Sequence, residues 1–227
     1  FALLGGWILS AQTETESLSE KLEEMSVRSI GPAGMSGRVT TIDVVREDPN
    51  TIYIGTASGG LWKSTSGGTE WEPIFDDQAS LSIGAVAIAP SNREVLWVGT
   101  GEGNPRNSQS SGRGIFKSLD GGENWSFMGL PDSRNIHRIL IDPRDENVVY
   151  VGAQGPAWGE SEERGVFKTT DGGDTWERIL YINDSTGVAD MVMDPINPNK
   201  IIVSMWQFKR WPWFFKSGGE GSGLYIT

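Results

Sequence analysis

The sequence predicts an all-β fold: a partial β-propeller of four-stranded antiparallel blades, about four in number, the last incomplete. Two repeated signatures in constant order carry this prediction, supported by a composition of 30 Gly and 10 Trp in 227 residues. Frequent glycine suits many tight turns, and abundant tryptophan suits an aromatic position that recurs once per repeat.

The first signature aligns without gaps in three places: GLWKSTSGGTEW from Gly60, GIFKSLDGGENW from Gly114 and GVFKTTDGGDTW from Gly165. GLYIT from Gly223 opens the same way. The second precedes each of these as a β-rich run, a Pro-containing turn and another β-rich run: IDVVREDPNTIYIGT from Ile42, VAIAPSNREVLWVGT from Val86, ILIDPRDENVVYVGA from Ile139 and MVMDPINPNKIIVSM from Met191. Together they read as four short strands per unit. One such sheet cannot bury both faces, and a period of roughly 50 residues with four strands is that of a propeller blade. The predicted blades cover about 37–76, 82–130, 136–182 and 187–227.

Each Gly-Gly turn has a mechanism. Asp120 and Asp171 accept hydrogen bonds from amides of their own loops in a buried setting, and the paired glycines, Gly122 and Gly173 among them, supply positive φ. Trp71, Trp125 and Trp176 then pack between adjacent sheets. The first copy has Ser66 in place of the aspartate, which predicts a weaker hydroxyl bond there. These acids read as structural rather than catalytic.

At SLDGGENW and TTDGGDTW the chain resembles the Asp-box, or bacterial neuraminidase, repeat. That motif is shared by sialidases, xyloglucan-cleaving hydrolases and the luminal domain of sortilin. SIGPAGMSGRV (Ser29 to Val39), GTASGGLWKS, GTGEGNPRNS and SGGEGSGLY are similar to large bacterial secreted proteins described as sortilin-like or glycosyl-hydrolase-like propellers. The resemblance implies fold and family; Asp-box propellers include both hydrolases and pure binders. The chain departs from sortilin in having no Cys, and the arginine cluster, tyrosine and acid of a sialidase cannot be placed.

Phe1 to Leu9 is apolar and uncharged and gives way to a polar stretch, which reads as the remnant of a signal peptide over 1–11 with cleavage near Ala11. Residues 12–28 read as a linker or short helix, and 29–227 as the propeller. The expected location is secreted, periplasmic or at the cell envelope of a bacterium, without membrane insertion after cleavage. A formal net charge of −11 argues against nucleic-acid partners. No metal site, P-loop, dinucleotide fingerprint or nucleophile elbow is present, and no cofactor is expected.

In an antiparallel blade the Pro turns and Gly-Gly turns share one end. The other end collects the irregular segments: Thr100 to Gly114, Ala153 to Gly165, Met205 to Gly223 and the connections between blades. Long loops on a rigid scaffold carry binding residues, so this face is the predicted site. Trp158, Trp206, Trp211 and Trp213 suit stacking on sugars or filling apolar pockets; Arg38, Arg106, Arg134, Arg138, Arg210 and Asn104 suit polar contacts. Glu102 and Asp190 are the candidate acids for a glycoside hydrolase. The alternatives are that Arg138 and Asp190 form an inter-blade salt bridge, that Glu102 and Asn104 brace their own loop, and that Trp206 to Phe215 folds on itself. The primary functional reading is a propeller that binds glycan or protein, with the remaining blades of a longer chain as partners; the alternative is a sialidase-like or glucanase-like hydrolase whose site further blades complete.

Overall fold

The computed structural model describes residues Arg38–Thr227. The signal-peptide, linker and helix readings, and most of SIGPAGMSGRV, lie outside the described residues. The described part consists of four antiparallel sheets arranged as propeller blades. The first comprises β1 (Val39–Val44), β2 (Ile52–Thr56), β3 (Leu61–Ser64) and β4 (Glu72–Pro73); the second β5 (Ile83–Ala89), β6 (Asn92–Thr100), β7 (Ile115–Ser118) and β8 (Ser126–Phe127). The third comprises β9 (Ile136–Asp142), β10 (Asp145–Ala153), β11 (Gly165–Thr169) and β12 (Glu177–Leu180). In the fourth, β13 (Thr186–Met193) pairs β14 (Ile201–Trp211), which pairs both β15 (Phe214–Ser217) and β16 (Gly223–Ile226). Among the described residues the helical content is a single 3-10 turn at Pro131–Ser133.

Strand alternation gives every blade two apolar faces, and repeat position decides which neighbour each side chain meets. Tyr53 and Leu61 of the first blade pack against Val86, Leu96, Val98 and Phe116 of the second. Trp97 and Ile115 of the second meet Ile139, Val149, Val151 and Phe167 of the third. Tyr150 and Val166 of the third meet Met191, Ile201 and Val203 of the fourth. The same register positions are therefore used three times over.

Two further contacts tie blade to blade. An innermost strand has an unpaired edge, and β1 covers that of β5: the N–H of Val86 donates to Thr41 Oγ1 (3.3 Å) and that of Ile88 to Asp43 Oδ2 (2.8 Å). Burial there raises the pKa of the Asp43 carboxyl. On the outside, Trp125 Nε1 donates to the carbonyl of Ile74 (2.8 Å), and Trp176 Nε1 to that of Met128 (2.7 Å), each reaching the preceding blade. Trp71 instead donates to Gly68 in its own loop, at 2.9 Å.

The Gly-Gly turns differ from expectation in what is buried. In all three, the hydroxyl ending the third strand accepts the second glycine's N–H: Gly68 to Ser64 (2.9 Å), Gly122 to Ser118 (2.9 Å) and Gly173 to Thr169 (3.0 Å). Asp120 Oδ1 accepts from the backbone N–H of Asn124 and Oδ2 from its side-chain amide, and Asp171 Oδ1 accepts from the N–H of Thr175, as expected. Asp171, however, is exposed. It caps the turn from the solvent side because Thr169 already fills the interior. Ser66 takes the same role in the first copy, accepting the N–H of Glu70 at 2.8 Å.

Candidate functional site

The two kinds of connection separate onto two ends. Gly-Gly turns bond to the first-to-second strand turn of their own blade or to the start of its second strand: Gly67 N–H to the Asn50 carbonyl, Gly121 to Glu94 and Gly172 to Asn147. At the opposite end, the N–H just past each second strand, or within the long β14, donates to a carbonyl just before a first strand: Ala57 to Arg38, Gly101 to Ser82, Gln154 to Asn135 and Phe208 to Ser185. These four bonds form the platform from which the long loops rise.

Each innermost strand bulges next to this platform. Register shifts fall between Val39 and Thr41, between Ile83 and Ala85, opposite Gly152/Ala153 at His137, and between Val188 and Asp190. Thr40, Gly84, His137 and Ala189 are thus unpaired residues at one repeat position. Bulges re-aim side chains at the ends of strands. At Gly84 no side chain fits: a Cβ would lie 2.1 Å from the Ile136 carbonyl oxygen and 2.2 Å from that of Gly101. At His137 the imidazole turns onto Gly103, where a Cβ would lie 1.9 Å from Nδ1.

A row of charged groups crosses the blades here. Arg38 Nη2, from the first blade, donates to both carboxylate oxygens of Glu102, at 2.6 and 2.7 Å. Glu102 is 0% exposed, its N–H donates to Ser82 Oγ, and its carbonyl accepts from Gln109 Nε2 and Asn135 Nδ2. Burial and the adjacent Arg138 guanidinium push the His137 imidazole below its ordinary pKa, against the pull of Asp190. Arg138 Nε donates to Asp190 Oδ1, which also accepts the N–H of Met191. Partial burial raises the pKa of the Asp190 carboxyl, but the bond and charge of Arg138 outweigh it and leave the group below its ordinary value. Arg38 thus meets Glu102, and Arg138 meets Asp190.

The segment Trp206 to Phe215, expected as an irregular loop, is a β-hairpin. β14 runs on past its blade, turns at Pro212–Trp213 and returns as β15, pairing Phe208 with Ser217 and Trp211 with Phe214. Aromatic packing supports it: Trp206 stacks on Phe208 at 4.6 Å and meets Phe215 edge-on at 5.7 Å. Arg210 anchors the hairpin, with Nε on Asn107 Oδ1 (2.7 Å), Nη1 on the Pro105 carbonyl (2.9 Å) and its own N–H on the Ala157 carbonyl (2.8 Å). Lys209 pairs with Glu160 at 3.0 Å. The loops of the second and third blades and the hairpin of the fourth are therefore one connected surface. Trp158 and Trp213 are exposed on it and Trp211 is half-buried, while Asn104 and Arg106 are exposed on the second-blade loop.

Sequence reading missed Arg164. It is wholly buried, donating to the carbonyls of Gln154, Pro156 and Gly159 at 2.6 to 3.0 Å, and lies 4.9 Å over the ring of Phe208. Burial lowers its pKa to about 10. A lone Arg ahead of a β-rich run carries no pattern that announces such a role. Among the described residues, no group of three or more His, Cys, Asp or Glu could hold a metal ion, and no helix is long and apolar enough to cross a membrane.

No family model matches the sequence. Over 188 residues the chain is 26% identical to a xyloglucanase of Hypocrea jecorina, covering 77% of this chain and 21% of that protein. In structure it is similar to an ancestral GH74 enzyme, with a TM-score of 0.62 and 23% identity, covering 84% of this chain and 24% of the other. It is also similar to the GH74 xyloglucanase from Xanthomonas campestris, with a TM-score of 0.57 and 16% identity over 83% of this chain and 30% of the other. The chain spans about a fifth of the length of the Hypocrea relative. The superpositions establish the propeller architecture, with GH74 xyloglucanases among its structural neighbours.

Proposed function

We propose that this chain is part of a secreted β-glucan-acting propeller of the glycoside-hydrolase kind, and that its long-loop face holds a xyloglucan-like chain. The observation that carries the reading is the hairpin β14–β15, which brings Trp158, Trp211 and Trp213 onto a surface joined to the loops of two other blades. Exposed indoles on a rigid base stack on sugar faces at little entropic cost. The sequence relationship to a xyloglucanase supports this glycan class. Asn104 and Arg106, exposed on the adjoining loop, take the sugar hydroxyls. Arg38, Arg138 and Arg210 position the site through the bonds they already make.

Hydrolysis requires one carboxyl that is protonated near neutral pH and a second carboxylate across the scissile bond. Glu102 is sealed beneath Arg38, and Asp190 is held ionised by Arg138. We assign both to positioning, with the hydrolytic pair completed by further blades. The same two ion pairs favour a second reading, a sortilin-like Asp-box propeller that only binds. Titrating the chain with xyloglucan oligosaccharides by calorimetry, beside an assay for new reducing ends, tests the proposal. Binding without cleavage is expected from this chain alone; absence of binding would contradict the glycan reading.

A further inference from the structure

The loop after β6 carries the seat of the fourth-blade hairpin: its Pro105 carbonyl and Asn107 Oδ1 receive the guanidinium of Arg210, the residue beside Trp211. The first part of this loop is fixed from several sides. Gly101 N–H donates to the Ser82 carbonyl, the Glu102 carboxylate accepts from Arg38, and the Glu102 carbonyl accepts from Asn135 and Gln109. Gly103, next in the chain, is buried against a side chain of the third blade. The Nδ1 edge of His137 lies on it: a Cβ there would be 1.9 Å from Nδ1, 2.4 Å from Cγ and 2.6 Å from Cε1.

His137 Nδ1 is buried and has no hydrogen-bond partner. In the neutral ring with its proton on Nε2, Nδ1 leaves only a lone pair unmet. A second proton would press a buried N–H against a glycine Cα, which accepts nothing, so the donor would lose its hydration without return. The surrounding charges do not repair this. Arg138 lies on β9 itself, Asp190 on β13 is already engaged by Arg138, and Glu102 beside Gly103 is engaged by Arg38. Opposite the bulge, β10 offers Gly152 and Ala153. Burial and Arg138 together hold the imidazole below its ordinary 6.5 against the pull of Asp190.

We infer that His137 is a positioning residue for the aromatic surface: its neutral imidazole seats the loop at Gly103, the loop seats Arg210, and protonation lifts the loop and frees the hairpin from the second blade. For glycan affinity this rests on the function proposed above; for the hairpin it does not. The hairpin keeps its third-blade ties, Arg210 N–H to Ala157 and Lys209 to Glu160, so acid loosens it without unfolding it. A base whose folded pKa is depressed gives a seat that is complete above the ordinary 6.5 and is lost as pH falls through the lower folded value.

The chain has one histidine, so nitrogen NMR of the labelled imidazole gives its tautomer and midpoint directly on the intact 227-residue chain. Hydrogen exchange of 103–109 and 206–217, corrected for the intrinsic rate, should lose protection with the same midpoint, while β6 keeps its own. That coincidence is read on the unsubstituted chain and stands without any variant. His137→Phe keeps a ring on Gly103 but takes no proton, and should show no acid step; should it fail to fold, His137→Gln should show none either. Xyloglucan oligosaccharide should bind the unsubstituted chain roughly fivefold or more weakly below the midpoint. Hairpin protection that ignores the histidine midpoint, or an acid loss that persists in a folded variant, would overturn the positioning role. Coincident midpoints with no glycan bound at any pH would uphold that role and overturn the glycan reading instead.

Discussion

Trp176 Nε1 donates to the carbonyl of Met128, 2.7 Å away in the preceding blade, while its ring lies edge-on to Trp97 at 6.0 Å. One side chain thus supplies both the apolar filling and the polar lock between the second and third blades. Trp125 does the same one blade earlier, with Ile74 and Phe75. Trp176→Ala should cost about 3 kcal/mol in urea unfolding, as a partly buried large-to-small change that also orphans a carbonyl. Trp71→Ala, which breaks only a bond within its own loop, should cost about 1 kcal/mol. Equal losses at the two positions would contradict the inter-blade role.

The hydroxyl at the end of each third strand should matter more than sequence inspection suggests. Thr169→Val removes the acceptor for the buried Gly173 N–H with little change of volume, and should destabilise by about 2 kcal/mol. Thr169→Ser keeps the oxygen and should recover most of that loss. A Val variant as stable as the Ser variant in denaturant titration would show that the turn is held some other way.

Asp120 makes a pH prediction with a definite sign. Bonds from the Asn124 backbone and side-chain amides, with a third from Ser118, lower its pKa from the ordinary 3.8 to about 2. A depressed folded pKa means the stabilisation is fully present above the unfolded value near 3.8 and disappears as the pH falls through about 2. Carbon NMR of the side-chain carboxyl should give a titration midpoint near 2. A midpoint at or above 3.8 would mean that these bonds do not form in solution.

Arg38→Ala leaves the Glu102 carboxylate buried without its cation and should cost about 2 to 3 kcal/mol, less than a fully enclosed pair because Arg38 is itself one-third exposed. The double substitution Arg38→Met with Glu102→Met should cost much less than the sum of the single changes. Additive losses in thermal unfolding would show that the two side chains are not coupled.

The blades were legible because each repeat states its own strands and turns: Gly60, Gly114 and Gly165 stand at the start of third strands, where the aligned repeats place them. The long-loop face was legible as a place, since antiparallel connectivity alone sorts the turns. Its contents were less so. The union of Arg38 with Glu102 spans 64 positions and depends on how one blade stacks on the next. The hairpin β14–β15 escaped because aromatic residues fill both faces of Trp206 to Phe215, erasing the two-residue alternation, and Pro212 reads as a loop breaker. The bulge at His137 depends on its pairing with β10, which the residue itself does not announce. Nothing in the sequence marks Ser64, Ser118 and Thr169, since only the folded turn sets a glycine N–H on each hydroxyl.

The central claim, a glycan held on the aromatic surface of the long-loop face, is tested most directly by calorimetric titration of xyloglucan oligosaccharide into the chain and into its Trp158→Ala, Trp213→Ala double variant. Trp213 is 83% exposed and Trp158 43%, so the fold should survive, as circular dichroism will check. Loss of stacking on two indoles should weaken binding by roughly tenfold or more, at about 1 kcal/mol or somewhat less for each ring. Equal affinity in the double variant, or no heat of binding from the unsubstituted chain, would contradict the account.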